Sequence, residues 1–282
     1  MSFLSNAHTH TTYCDGSCDI ATLVRKAQEL GFVSLGFSEH AHQGYDPIYS
    51  MSAEVQLAYI AELRALQALH NARGILPKLY VGVEQDALAP QARKDINRGQ
   101  GDYVIGSTHY LPASPDGQKQ AVDGSRESLN RLIGEHYGGD AMEMARAYYR
   151  LLGESVKADK PDIIGHFDVV RKHAGVIGLD TAHPAYRRAA LDAMGTAFQG
   201  CTLLEVNTGN IARGHDTFPY PAGFLLDAWL EMGGELTLTS DCHNAPDLDC
   251  AYAQTLQMLK RRHCKRLLRL GTGDRLWDEF LL

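Results

Sequence analysis

The chain repeats one unit: a short apolar stretch that ends in a polar, ligand-type residue, followed by a longer stretch with helical spacing. The short stretches cover residues 3–10, 32–38, 79–83, 102–107, 162–165, 202–206, 235–240 and 267–270. The longer ones fall at about 20–30, 52–73, 90–98, 141–158, 184–199, 221–232 and 247–263. In the first of these, Ile20, Leu23, Val24, Ala27 and Leu30 form one stripe, with Asp19 at the N-cap and Gly31 as the stop. Short apolar strands separated by helices belong to a parallel sheet buried on both faces. Seven or eight such units in 282 residues favour one closed α/β barrel, residues 1–282, over two separate sheets. An open doubly wound sheet is the alternative. No glycine-rich dinucleotide fingerprint follows the first strand, which weakens it.

The rhythm breaks at 111–138, a segment rich in Pro, Gly, Ser, Asp and Gln that reads as a long loop with one short helix near 126–135. Net charge is −7, which argues against a surface that neutralises nucleic-acid phosphates. Neither a signal peptide nor an apolar run of spanning length is read, so a cytoplasmic chain with no membrane contact is expected. The six cysteines are scattered and read as reduced thiols. Cys14 and Cys18 lack a second pair at finger-like spacing, so a thiolate metal site is not expected there. Oligomeric state is left open.

The strand ends carry the chemistry. His8 and His10 are two apart, so in a strand both imidazoles share a face, with Cα atoms about 6.6 Å apart. Asp15 follows in the next loop, where Gly16 lets the backbone turn. The other strands end in His40, Glu84, His109, His166, and Asp241 with His243. In a barrel these ends form one rim, where active sites sit. Each residue alone has a plainer reading: a hydrogen-bonded histidine, a salt-bridge partner, a helix cap. Together they are too many donors for one tetrahedral ion and suit two or three cations with shared bridges. Left without cations, carboxylates and imidazoles gathered at one rim carry a large desolvation cost. His70, His136, His173, His183 and His263 fall on helices or polar stretches and read as surface or structural groups.

This pattern resembles the polymerase and histidinol phosphatase (PHP) superfamily. The resemblance rests on His8-Thr9-His10, Asp15-Gly16, Glu39-His40, Gly82-Val83-Glu84, Ser107-Thr108-His109, Gly165-His166-Phe167-Asp168, Glu205-Val206-Asn207 and Ser240-Asp241-Cys242-His243. Within it the chain is most similar to the stand-alone histidinol-phosphate phosphatases, through its length, Asn207-Thr208-Gly209 with Arg213, Tyr220-Pro221, and the insert leading into Tyr148-Tyr149. The resemblance implies a distorted (β/α)7 barrel of TIM-like form with two or three divalent ions, reported as zinc, manganese or iron. It implies His8, His10, Glu84 and Asp241 around one ion, Glu84, His109 and His166 around a second, and Asp15, His40 and His243 around a third. The implied activity is hydrolysis of L-histidinol phosphate, a step of histidine biosynthesis, by a metal-activated hydroxide, with Asp15, His40, Asp241, His243 and Arg213 as catalytic residues.

Candidates to grip the substrate phosphate are Arg213 and Arg171, then His42 and His215. Lys119, Asp123 and Arg126 of the insert are placed to cover the substrate, with Asp123 or Glu127 meeting its amine. A PHP phosphoesterase acting on another small phosphate ester or a nucleotide is the alternative. A polymerase-associated or purely structural metal module is a weaker one, because no polymerase segment is attached.

Overall fold

A computed structural model describes residues 3–113 and 117–282. In chain order its elements are β1 (Ser5–Asn6), α1 (Ile20–Leu30), β2 (Ser34–His40), α2 (Ala53–Arg73), β3 (Lys78–Asp86), α3 (Gln91–Gln100) and β4 (Tyr103–Ser107). The insert follows as β5 (Tyr110–Pro112), β6 (Lys119–Ala121) and α4 (Arg126–His136). The chain then runs through α5 (Ala141–Asp159), β7 (Ile163–Ile164), α6 (Pro184–Ala197), β8 (Leu203–Asn207), α7 (Gly209–Ala212), α8 (Gly223–Glu231) and β9 (Glu235–Thr239). It ends with α9 (Tyr252–Arg261), β10 (Arg266–Leu270) and β11 (Trp277–Leu281).

The helix limits follow their caps. The Asp19 carboxylate accepts from Thr22 N at 2.7 Å, and Gly31 closes α1 in the left-handed region at φ 77°. Ser52 and Asp140 cap α2 and α5 in the same way. The stripe Ile20, Leu23, Val24 and Ala27 is buried, as its spacing predicts.

The main sheet has the order β1-β2-β3-β4-β7-β8-β9-β10-β11, parallel through β10, with β11 antiparallel on β10. It curls until the segments after β1 and β9 meet. His10 N donates to Cys242 O at 2.8 Å and Cys242 N donates to His8 O at 3.1 Å. The Asn6 amide reinforces this seam by donating to Ser240 Oγ at 2.7 Å. The fold is therefore the curled parallel α/β barrel the sequence predicts. Three details differ. The first strand is two residues long; beyond it Thr9 pairs with Cys242 across the seam, while its carbonyl still accepts from Ser38 N of β2 at 2.9 Å. The insert carries a β5–β6 hairpin ahead of its helix; residues 114–116 of it lie outside the described residues. The chain also gains β11.

Inside the barrel, Tyr103 lies across Gly36 of β2 and Gly82 of β3, and a Cβ at either glycine would collide with its ring. Its hydroxyl donates to Ala7 O at 2.6 Å, tying β4 to the segment after β1 that carries His8. Among the described residues no helix is long and apolar enough to cross a membrane.

Candidate metal centre

Glu84, the seventh residue of β3, stands at the middle of the rim with its side chain 1% exposed. Its Oε1 lies 2.9 Å from His166 Nε2 and 3.3 Å from His109 Nε2. Its Oε2 lies 2.9 Å from His40 Nδ1, 3.3 Å from His8 Nε2 and 3.5 Å from His10 Nε2. Five imidazoles from four rim segments thus converge on one carboxylate. Asp241 Oδ1 completes the inner group, 3.6 Å from His8 Nε2 and 3.3 Å from His10 Nε2. Asp241 itself sits at φ 49°, a left-handed conformation uncommon for a residue with a Cβ, held where the barrel seam closes.

A second group gathers outside the first. Asp15 Oδ2 lies 3.3 Å from His243 Nε2 and 3.7 Å from His40 Nε2, and Asp15 Oδ1 lies 3.7 Å from His10 Nδ1. The Asp15 loop folds tightly against the strand end. A Cβ on Gly16 would come to 2.5 Å from His10 O, so this glycine serves a close backbone approach rather than a turn of special φ.

Carboxylates behind the rim orient the imidazoles. The Nδ1 of His8 donates to Glu205 Oε2 at 2.9 Å, which leaves the Nε2 lone pair facing the centre. Glu205 Oε1 also accepts from His166 N at 2.6 Å. Three buried atoms at the middle, His8 Nε2, His10 Nε2 and Glu84 Oε2, have no hydrogen-bond partner, and one ligand atom from each of these residues falls within 4.8 Å of the others. Buried polar atoms left unpaired cost free energy, and three lone-pair donors aimed at one point are satisfied by a cation. The donor set of imidazoles and carboxylates fits divalent zinc, manganese or iron.

Where no cation is bound, the same carboxylates favour protons on most of the rings around them. Burial disfavours charge on His8, yet Glu205, Glu84 and Asp241 outweigh it and hold this imidazole well above its ordinary pKa. His40 and His109 are raised in the same way, burial being outweighed by Glu84. Burial, with His243 and His40 alongside, lowers His10 to about 3. Burial would raise Glu84 and Asp241, but His8, His109 and His40 around the first, and Arg213 and His8 around the second, hold both well below the carboxylate range. Burial and the Glu39 carboxylate push the Cys14 thiol well up, so it stays protonated.

The rim opens into a cavity of about 250 Å³. Of the residues singled out for the phosphate, Arg213 and His215 line it, whereas Arg171 and His42 do not. The Arg213 guanidinium holds Asp241, with Nη2 to Oδ2 at 2.7 Å, and lies against Gly209, where a Cβ would meet it at 2.5 Å. Arg171 is a correction. Its Nε donates to the buried Asp168 at 2.9 Å, its Nη2 to Pro219 O at 2.8 Å, and it stacks on Tyr220. A buried carboxylate needs a partner, and Arg171 supplies it. His42 is turned to Met51 O at 3.0 Å. Asp123 lines the cavity, while Glu127 and Arg126 are exposed on α4 and Lys119 lies over the Tyr45 ring. The sequence reading missed Lys172, which lines the cavity with its Nζ 3.4 Å from Asp123 Oδ2. It also gave no role to Glu205, although a carboxylate inside the buried run Leu203–Asn207 is itself a signal that something opposite requires it.

A model of the PHP domain matches residues 6–209. The chain belongs to the PHP domain family. Its matched span contains every rim residue except Asp241 and His243, which β9 brings to the same centre. A protein of Deinococcus radiodurans named "Probable histidinol-phosphatase" is 28% identical over 267 residues, covering 92% of this chain and 94% of the relative. One of the same name from Schizosaccharomyces pombe is 22% identical over 315 residues, covering 100% and 97%. The crystal structure of histidinol phosphate phosphatase from Lactococcus lactis, complexed with zinc, L-histidinol and phosphate, superposes with a TM-score of 0.70 at 20% identity, covering 94% of this chain and 95% of that one. That structure shares the PHP fold.

Proposed function

We propose that this chain, over residues 1–282, is a metal-dependent phosphomonoesterase that hydrolyses L-histidinol phosphate to L-histidinol and phosphate. The observation that carries the reading is the set of unpaired buried donors, His8 Nε2, His10 Nε2 and Glu84 Oε2, the last of which belongs to the lining of a cavity that Arg213 and Lys172 also line. The names of the two relatives, and the histidinol and phosphate in the Lactococcus structure, direct it to this substrate.

In this reading His8, His10, Glu84 and Asp241 hold one ion, Glu84, His109 and His166 a second, and Asp15, His40 and His243 a third. Divalent ions held there would supply Lewis acidity towards a water nucleophile and would neutralise phosphate charge. The chain's own residues do the rest. Glu205 keeps His8 in its Nδ1–H tautomer and anchors the backbone of His166. Arg213 holds Asp241 through both terminal nitrogens, Nη2 to Oδ2 at 2.7 Å and Nη1 to the backbone O at 3.1 Å, and lines the cavity, where a guanidinium can reach phosphate oxygens. Lys172 brings a second cation to the same space, and Asp123 beside it meets the substrate's ammonium group. Zinc, manganese and iron all suit the donors. The cytoplasm is the expected compartment, since it keeps thiols such as these six free cysteines reduced.

The test is phosphate release by the purified chain, loaded in turn with zinc, manganese and iron, from L-histidinol phosphate, phosphoserine, phosphotyrosine and AMP. L-Histidinol phosphate is expected to give the highest kcat/KM, abolished by a chelator. A higher value for another ester overturns the substrate, and release that persists in chelator overturns the mechanism.

A further inference from the structure

We propose that Cys14 is a positioning residue, a thiol relay between the His10 imidazole and the buried carboxylate of Glu39 that sets which nitrogen of His10 faces the centre. The proposal rests on the metal-centre reading above, and concerns how this chain prepares one ligand of it.

The relay has two short steps. His10 Nδ1 lies 3.3 Å from Cys14 Sγ, and Cys14 Sγ lies 2.7 Å from Glu39 Oε2. A thiol has one proton to give. Asp15 Oδ1 is a second acceptor for it at 3.2 Å, but Glu39 is the nearer, so the S–H bond points to Glu39. The sulfur lone pairs then accept from His10, which requires the proton on Nδ1 and leaves Nε2 bare. That atom lies 3.5 Å from Glu84 Oε2 and 3.3 Å from Asp241 Oδ1, and has no hydrogen-bond partner. The other tautomer would put a proton where a cation needs a lone pair.

Glu39 is well placed to anchor the relay. It is fully buried in β2, and its Oε2 also accepts from Thr11 N at 3.0 Å. Its neighbour His40 enters the centre directly. The arrangement parallels His8, whose Nδ1 meets the Glu205 carboxylate with no relay between. The two imidazoles of His8-Thr9-His10 are thus oriented from behind by two different buried glutamates. A hydroxyl can both donate and accept as the thiol does, whereas a methyl group can do neither.

The experiment is competition for Zn²⁺ between a chelator and the purified full chain, as parent, Cys14→Ser, Cys14→Ala and Glu39→Gln. Losing a group that orients a ligand typically costs about 10- to 100-fold in metal affinity, and that loss is expected for Cys14→Ala and Glu39→Gln, with Cys14→Ser within about threefold of the parent. Long-range ¹H–¹⁵N spectra of the metal-free chain give a readout that a merely structural role would not move: the His10 proton on Nδ1 in parent and Cys14→Ser, but shared between the nitrogens in Cys14→Ala. Parent-like zinc affinity in Cys14→Ala, or an unchanged His10 tautomer, overturns the relay. Should Cys14→Ala fail to fold, the comparison of Cys14→Ser with Glu39→Gln decides, and equal losses in both overturn it. A parent chain that takes up no zinc overturns the metal-centre reading and the relay with it, whereas a loaded parent with indifferent variants overturns the relay alone.

Discussion

Replacing Glu84 by glutamine removes one negative charge from the point where five imidazoles converge, while keeping the shape of the side chain. In the proposed centre that carboxylate bridges two ions. Unit charges about 4 Å apart interact by about 4 kcal/mol at the effective dielectric of about 20 that suits protein sites. This is about a thousandfold in an equilibrium constant for each ion, and a divalent ion at ligand distance gives no less. Glu84→Gln is therefore expected to lose metal affinity by about three orders of magnitude or more, and activity at limiting metal with it. The assay is metal content after dialysis against graded chelator, beside phosphate release from L-histidinol phosphate. A Glu84→Gln chain that keeps parent metal content and turnover would refute the bridging role.

Further outcomes are expected. Glu205→Gln should weaken metal binding about 10- to 100-fold, read by the same dialysis, because an amide cannot accept at both ends as the carboxylate does from His8 and Thr239 on one oxygen and His166 N and Asn207 on the other. Lys172→Met should raise KM for the phosphate ester while metal content holds; an unchanged KM removes Lys172 from the substrate's contacts. Gly82→Ala drives a methyl group into Tyr103 and should cost about 1–3 kcal/mol of stability in a denaturant melt. In contrast, Gly134→Ala on α4 meets open space and should stabilise by about 0.5–1 kcal/mol. Metal removal should show its own pH dependence. In the metal-free chain His8, His40, His109 and His243 are raised, against His10 lowered. A raised imidazole contributes stability that is present below its unfolded value near 6.5 and lost as pH climbs through its folded value. Metal binding strengthens over the same interval, because ligands must shed protons. The gap in Tm between loaded and metal-free chain should widen from pH 6 to pH 8; a gap that narrows contradicts the ligand set.

The rim was legible because its physics is local. A strand that ends in His or Glu shows in the sequence, and a parallel barrel forces such ends together, so His8, His10, His40, Glu84, His109, His166, Asp241 and His243 meet as the repeated unit predicts. What the sequence hid depends on long-range pairing. Nothing local says that residues 8–10 pair across the seam with Cys242 beyond a β1 of only two residues. β11 follows a turn rich in glycine and charge, and its antiparallel pairing with β10 is a tertiary choice. Arg171 and Arg213 are alike as charges on loops; only the buried Asp168 beside one and Asp241 beside the other separate them. Lys172 sits just after a single 3-10 turn, where no periodicity marks a face.

The claim on which the rest depends is that divalent ions sit among these donors. Crystals grown with zinc and phosphate, with diffraction collected on both sides of the zinc absorption edge, address it directly. Anomalous peaks are predicted at Glu84, between His8, His10 and Asp241 on one side and His109 and His166 on the other, with phosphate density beside Arg213. Peaks confined to the outer surface, or none within reach of Glu84, would contradict it.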